Sequence, residues 1–139
     1  MVVEDYPPLA KVIAIAIRRG GHEAERVGSA QRALASPGIF DCMVLDVDLP
    51  DGNGVALARE LLDARRTYSV IFYTACRDAE LRRAAAQIGP VIDKSLGLDP
   101  LLQVLETELA MVASRARVAG AESMPLRLSA RSGTRRKLS

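Results

Sequence analysis

Apolar residues recur along the chain in two alternating patterns. Short apolar runs bounded by turn residues predict buried strands over residues 2–3, 42–45, 70–73 and 91–92. We expect a brief further strand over residues 23–27, between two predicted helices. Between the strands, apolar residues recur three and four positions apart, which predicts amphipathic helices over residues 7–19, 29–35, 55–65, 78–88 and 99–112. The pattern therefore predicts five short strands that alternate with five helices.

This alternation favours an α/β fold in which helices cover both faces of a parallel sheet. Because parallel crossovers are right-handed, only a few ways of connecting the strands remain. We predict a flavodoxin-like, doubly wound, five-stranded parallel sheet with the order 2-1-3-4-5 and five helices. Turn and cap residues support the boundaries, since Pro7 and Pro8 suit a first helical turn, Gly20 and Gly21 a helix end, and Ser29 an N-cap.

Length and composition indicate one globular domain with a basic extension. The chain has 139 residues, of which 49% are apolar and 26% charged, and it contains no run of eighteen apolar residues. Residues 1–110 carry 12 basic and 16 acidic side chains, whereas residues 111–139 carry 7 and 1. We predict a domain over residues 1–117 and a basic, flexible tail over residues 118–139, because the tail lacks apolar periodicity.

The sequence lacks the pattern of a secretory signal and the cysteine spacing of a zinc or redox site. Met1 is followed by an apolar pair and an acidic pair rather than by a basic start and a longer apolar stretch, so we expect a cytoplasmic protein. Cys42 and Cys76 lack the CxxC spacing of zinc and redox sites and suggest small apolar fillers at strand edges.

Polar residues stand where four of the predicted strands end. Glu4 and Asp5 close strand 1, Asp46 closes strand 3, Thr74 closes strand 4 and Lys94 closes strand 5. Doubly wound sheets bind ligands at the carboxyl ends of the strands, where the winding reverses. Acidic residues at strand ends are often simply solvated turns, but the joint placement of these five favours a functional site.

Three clustered carboxylates need a counterion. Two unit charges 4 Å apart repel by about 4 kcal/mol at an effective dielectric constant of about 20. An all-oxygen ligand set suits a hard cation that keeps several waters beside a phosphate, typically Mg²⁺. Asp46 can act as a nucleophile and form an acyl phosphate, with Lys94 supplying positive charge and Thr74 a hydrogen bond to a phosphoryl oxygen.

These residues occur in segments that resemble the receiver domain of two-component response regulators. The similar segments arrive in the family's order over roughly residues 1–112, and they are Val2-Val3-Glu4-Asp5, Leu45-Asp46-Val47-Asp48-Leu49-Pro50-Asp51-Gly52-Asn53-Gly54, Thr74-Ala75 and Lys94. The loop after Leu45 is the most specific of them. The resemblance implies a single-domain response regulator that signals through protein contacts.

The resemblance also implies a role for each site residue. Glu4 and Asp5 would position Mg²⁺ together with Asp46 and the main-chain carbonyl of Asp48. Asp46 would accept the phosphoryl group from a histidine kinase or a histidine phosphotransfer protein, and Thr74 and Lys94 would contact it. The chain would then be a signalling domain rather than an enzyme, with at most slow self-dephosphorylation.

Four features depart from the family pattern. Val91 stands where receivers usually carry a switching aromatic residue, and Ser95 follows Lys94 where proline is usual. The segment from Thr74 to Lys94 is about two residues shorter than in common receivers. The first strand has almost nothing before Val2, which leaves open a start upstream of Met1. We therefore expect an atypical switch.

Two other functions remain compatible with the sequence. Asp46 and Asp48 form the DxD of haloacid-dehalogenase-like phosphatases, although that family carries it on the first strand. A pseudo-receiver that binds a partner without phosphate would fit Val91 and Ser95. We expect no DNA-binding domain, because the arginine-rich end lacks an aromatic stacking platform and the length of a helix-turn-helix.

Overall fold

The structure is a computed structural model that describes the backbone of residues 1–122 and 137–138, with side chains described through residue 119. In chain order its elements are β1 (Val2–Val3), α1 (Pro7–Arg19), β2 (Glu23–Ala24), β3 (Arg26–Val27), α2 (Ala30–Ala35), β4 (Met43–Leu45), β5 (Asp48–Leu49), β6 (Gly52–Asn53), α3 (Gly54–Asp63), β7 (Val70–Thr74), α4 (Ala79–Ala86), β8 (Val91–Asp93), a 3₁₀ turn (Lys94–Leu96), α5 (Leu98–Glu122) and β9 (Lys137–Leu138).

Five of the described strands form one parallel sheet. The strand order is β3-β1-β4-β7-β8, and all neighbouring strands are parallel. Numbered by their place in the chain, these strands follow the order 2-1-3-4-5, so the predicted flavodoxin-like fold is confirmed. The winding reverses between β1 and β4, which lie side by side at the centre of the sheet.

Each face of the sheet packs against its own set of helices. Val3, Leu45 and Phe72 lie on the face covered by α2, α3 and α4. Val2, Val44 and Ile71 lie on the opposite face, which α1 and α5 cover. Because both faces are buried, successive residues of each central strand are apolar, which explains the continuous apolar runs in the sequence.

Three helices begin at side-chain caps. Ser29 Oγ accepts a hydrogen bond from the Arg32 amide at the start of α2. Asn53 Oδ1 accepts one from the Ala56 amide at the start of α3, and Asp78 Oδ1 accepts one from the Leu81 amide at the start of α4. These contacts satisfy otherwise unpaired amides and set where each helix leaves the sheet edge.

In two regions the structure contains more strands than the sequence predicted. The strand predicted over residues 23–27 consists of β3, which pairs with β1, and β2, which pairs with β9. The loop predicted after Asp46 contains a short antiparallel hairpin of β5 and β6. Both differences involve two-residue strands, which are too short to show a period of their own.

Helix α5 passes the predicted domain boundary at residue 117 and continues to Glu122. Residues 113–119 are mostly alanine and arginine, which favour helix over coil. Within the predicted tail, Lys137 and Leu138 form β9, whereas residues 123–136 and 139 lie outside the described residues, so flexibility there stays a prediction. Among the described helices, none combines the length and apolar character needed to cross a membrane.

A close backbone approach at Gly54 fixes the turn that carries Asp46. The Gly54 amide donates to the Val47 carbonyl at 2.7 Å. A Cβ atom at Gly54 would overlap the carbonyl oxygen of Asp46 and lie 2.9 Å from its carbonyl carbon. Because these are backbone atoms, no side-chain rotation can relieve the overlap, and glycine is required.

We therefore expect Gly54→Ala to lower the free energy of unfolding by about 1–3 kcal/mol, the usual range for overpacking. Urea denaturation followed by circular dichroism measures the loss. Gly28→Ala is the control, because its Cβ atom would find its nearest neighbour, the Glu4 carbonyl oxygen, at 3.9 Å. Equal stability of the two variants would contradict this account.

Candidate functional site

The five residues predicted from strand ends lie together at the carboxyl edge of the sheet. Glu4 and Asp5 follow β1, Asp46 follows β4, Thr74 ends β7 and Lys94 follows β8. Since the strands are parallel, their carboxyl ends share one edge, and the neighbouring pairs β1–β4 and β4–β7 place Asp46 at the centre. The side chains of Glu4, Asp46 and Thr74 are buried, whereas Asp5 is exposed.

Lys94 joins two of the carboxylates. Its Nζ atom lies 2.6 Å from Glu4 Oε1 and 2.7 Å from Asp46 Oδ2. The side chains of Glu4 and Asp46 are 2% and 6% exposed, so their mutual repulsion is poorly screened by water. The Lys94 side chain, 21% exposed, supplies the counter-charge.

The second oxygen of Asp46 is held by hydrogen bonds. Thr74 Oγ1 donates to Asp46 Oδ1 at 2.7 Å, and the Asp48 amide donates to the same oxygen at 3.2 Å. Thr74 Oγ1 in turn accepts from the Cys76 amide at 3.0 Å, which directs its proton toward Asp46. Both oxygens of Asp46 therefore have fixed partners, and the carboxylate has a defined orientation.

The charges in the cluster do not cancel. Burial raises the pKa of the Glu4 carboxyl, and the hydrogen bonds that it receives from Lys94 and from the Tyr6 amide oppose this shift without overcoming it. Burial lowers the pKa of Lys94, but its hydrogen bonds to Asp46 and Glu4 outweigh this effect and hold the pKa above its ordinary value. With three carboxylates against one ammonium, the cluster keeps a formal excess of negative charge and favours further positive charge.

The residues present fit a hard divalent cation. Glu4, Asp5 and Asp46 can each place one carboxylate oxygen within 4.8 Å of the others. Oxygen ligands of this kind suit Mg²⁺, which keeps several waters and binds proteins through one or two carboxylates. Because Asp5 is exposed, the cluster is open to solvent on its side. The main-chain carbonyl of Asp48 as a fourth ligand stays a prediction.

The hairpin after Asp46 is anchored to helix α2, which sequence patterns did not indicate. The Asp51 carboxylate accepts hydrogen bonds from the Ala30 and Gln31 amides, each at 2.9 Å. These bonds lower the pKa of Asp51. The two segments are separated by about twenty residues, and no periodic pattern links an aspartate in a turn to a distant helix start.

Val91 and Ser95, the two positions near Lys94 that depart from the family pattern, have different environments in the structure. Val91 is partly buried and packs into the core on the α3–α4 side of the sheet, without a ring. After Lys94 the chain forms a 3₁₀ turn in which Asp93 Oδ1 accepts from the Ser95 amide at 2.8 Å. No cis peptide bond occurs among the described residues.

Comparison with known proteins agrees with this geometry. The family model described as the response regulator receiver domain matches residues 1–106. The transcriptional regulatory protein TcrA of Mycobacterium tuberculosis is 34% identical over 106 residues, which cover 73% of this chain and 42% of TcrA. The chain thus spans less than half the length of this curated relative.

Solved structures share the fold. The CheY-like receiver domain protein from Methanospirillum hungatei superposes with a TM-score of 0.75 at 21% identity, covering 82% of this chain and 94% of that one. The response regulator protein TrrA from Thermotoga maritima, in complex with Mg²⁺–BeF, gives a TM-score of 0.65 at 23% identity, covering 77% and 95%.

We expect Lys94→Met to destabilise the protein in the absence of metal, because Glu4 and Asp46 lose the cation that bridges them. Breaking a buried pair costs about 3–5 kcal/mol, and the partial exposure of Lys94 reduces the expected loss to about 1–3 kcal/mol. Urea denaturation at neutral pH in EDTA measures this loss, and saturating Mg²⁺ should restore part of it.

Two comparisons test the same account. Lys11→Met, which removes an exposed lysine on α1, should leave the stability nearly unchanged. Because the pKa of Lys94 is raised, its stabilising effect is present below the ordinary lysine pKa and is lost as pH rises above it. The difference between the wild type and Lys94→Met should therefore shrink at strongly alkaline pH, and a constant difference would argue against charge as the cause.

Proposed function

The chain belongs to the response regulator receiver domain family, and from this membership we propose that Asp46 accepts a phosphoryl group from a histidine kinase or a histidine phosphotransfer protein. The observation that carries the proposal is the joint contact of Asp46 with Lys94 and Thr74, beside Glu4 and Asp5. Phosphoryl transfer needs alignment and charge neutralisation, and these residues can supply both.

In the proposed reaction, a carboxylate oxygen of Asp46 forms a bond to phosphorus while the bond from phosphorus to the donor's histidine nitrogen breaks. The donor imidazole keeps the electron pair of the broken bond, and Asp46 becomes an acyl phosphate. Glu4, Asp5, Asp46 and the main-chain carbonyl of Asp48 would hold Mg²⁺, which supplies positive charge to the phosphoryl oxygens when bound.

Lys94 and Thr74 each move from an oxygen of Asp46 to a phosphoryl oxygen during this reaction. In the unphosphorylated site their polar atoms lie 2.7 Å from the two oxygens of Asp46. When a phosphoryl group is attached to Asp46, its oxygens carry the charge that the carboxylate has lost. The Lys94 ammonium and the Thr74 hydroxyl then turn to the phosphoryl oxygens, so that each keeps an anionic partner.

We propose that the response to phosphorylation involves the loop after Thr74 and the face formed by α4 and β8. Val91 occupies the position at which receivers usually carry an aromatic ring, and its side chain is too small to take two distinct packed positions. The signal would leave through protein contacts, and the acyl phosphate would be lost by slow hydrolysis rather than by efficient turnover.

The position of Asp46 weakens the phosphatase alternative. Asp46 follows β4, the third strand of the sheet along the chain, whereas the DxD of haloacid-dehalogenase-like enzymes follows the first. The Asp48 side chain is exposed, and its amide rather than its carboxylate contacts Asp46. We therefore assign Asp48 no acid–base role.

We expect wild-type protein with acetyl phosphate and Mg²⁺ to gain the mass of one phosphoryl group, and Asp46→Asn to gain none. An amide cannot form the acyl phosphate. Intact mass spectrometry measures the adduct, and Asp63→Asn, which removes the same charge at an exposed position on α3, is the control.

Each rival function gives a different result in this experiment. A wild-type protein that takes no adduct would support the phosphate-independent pseudo-receiver. Continuous release of phosphate that stops in Asp48→Asn would support the phosphatase.

We expect Asp5→Asn and Glu4→Gln each to weaken Mg²⁺ binding roughly tenfold, since each removes one charge from the ligand set. Isothermal titration calorimetry is the suitable measurement, because the chain contains no tryptophan. Asp48→Asn should change the affinity less, because it leaves the main-chain carbonyl in place. Unchanged affinity in both Asp5→Asn and Glu4→Gln would show that the acidic cluster does not bind the metal.

A further inference from the structure

Asp93 occupies a position between the site and helix α4 that the proposed reaction does not use. It is the last residue of β8 and directly precedes Lys94, and the parallel pairing of β7 with β8 places it beside Thr74. Its side chain is 16% exposed. Asp93 is therefore adjacent to two residues that contact Asp46.

The Asp93 carboxylate binds three partners. Oδ2 lies 3.1 Å from Arg77 Nη1 and 3.7 Å from Arg82 Nη1. Oδ1 accepts from the Ser95 amide at 2.8 Å. The hydrogen bond from Ser95 and, to a smaller extent, the two arginines lower the pKa of Asp93, so that it stays anionic. The three partners belong to the loop after β7, to helix α4 and to the 3₁₀ turn.

Arg82 connects this carboxylate back to Thr74. Arg82 Nη1 also donates to the Cys76 carbonyl at 2.9 Å. The Cys76 amide donates to Thr74 Oγ1 at 3.0 Å, and Thr74 donates to Asp46. A continuous series of contacts thus runs from Asp46 through the loop to α4 and ends on Asp93.

We propose that Asp93 is the positioning residue that couples phosphorylation of Asp46 to the position of the loop after Thr74 and of helix α4. In the unphosphorylated protein Asp93 holds Arg77 and Arg82 against the end of β8. This inference rests on the proposed phosphorylation of Asp46.

The coupling follows from the contacts. When Thr74 turns toward a phosphoryl oxygen, it carries the Cys76 amide with it, and the Cys76 carbonyl withdraws from Arg82. Arg77, whose side chain is 76% exposed, then leaves Asp93 at little cost, because exposed ion pairs are weak. Asp93 itself stays in place through its bond to the Ser95 amide.

The test uses the full chain labelled with ¹⁵N, with and without Mg²⁺ and beryllofluoride. Asp93→Asn keeps an oxygen for the Ser95 amide but loses the charge that attracts the arginines. We expect the amide resonances of residues 76–83 in Asp93→Asn to lie already part of the way toward their beryllofluoride positions, and to shift less than half as far as in the wild type when the ligand is added.

The rate of phosphorylation gives a second measurement. Because the ion pairs stabilise the unphosphorylated arrangement, their loss should speed phosphorylation by acetyl phosphate, by up to about fivefold for a weak exposed pair. Arg77→Gln should reproduce both the shifted resonances and the faster phosphorylation. It therefore tests the same ion pair if Asp93→Asn has a folding defect. Arg83→Gln, which changes an exposed arginine on α4 with no ion pair among the described residues, should behave as the wild type.

The outcomes separate this inference from the proposed function. If Asp46 is phosphorylated but Asp93→Asn and Arg77→Gln shift over the wild-type range and react at the wild-type rate, Asp93 forms surface ion pairs only and the inference is wrong. If the wild type takes neither the adduct nor beryllofluoride, both the proposed function and this inference fail.

Discussion

The repulsion among carboxylates at one edge of the sheet is the constraint on which the site depends. The fold brings Glu4, Asp5 and Asp46 together, and at an effective dielectric constant of about 20 each charged pair at 4 Å costs about 4 kcal/mol. Lys94 offsets part of this repulsion by bridging Glu4 and Asp46. In the sheet β7 separates β8 from β4, and both β7 and β4 separate β8 from β1, so a long side chain at the end of β8 is needed to reach both carboxylates.

This compensation is incomplete, and the remaining charge has a functional consequence. Glu4, Asp5 and Asp46 together formally carry three negative charges against the single positive charge of Lys94, so the cluster would gain from a further cation. Under the proposed function, a metal ion and a phosphoryl group would add opposite charges to the same place, so the site could accept both with little change in its net charge. A cluster selected for stability alone would replace one of these carboxylates with an uncharged residue.

The sequence predicted the sheet, and the gathering of five polar residues at one of its edges, because both depend on burial. The runs at residues 42–45 and 70–73 are apolar on both faces, so their ends and the polar residues that follow could be located. The end of α5 at Glu122 was missed, since solvent-exposed turns carry no apolar stripe. The contacts of Asp93 and of Asp51 were missed because they join segments whose separation depends on loop geometry and side-chain conformation.

The absence of a ring at Val91 affects how any signal can cross from β7 to α4. A buried ring can report a change because it moves between two packed positions, whereas valine is stiff about χ1 and fills one fixed volume. In the coupling that we propose, the groups that move are instead the long side chains of Arg77 and Arg82, whose contacts with Asp93 are electrostatic. Such contacts weaken gradually with ionic strength, so coupling through them would be graded and salt-dependent, whereas coupling through a packed ring would not be.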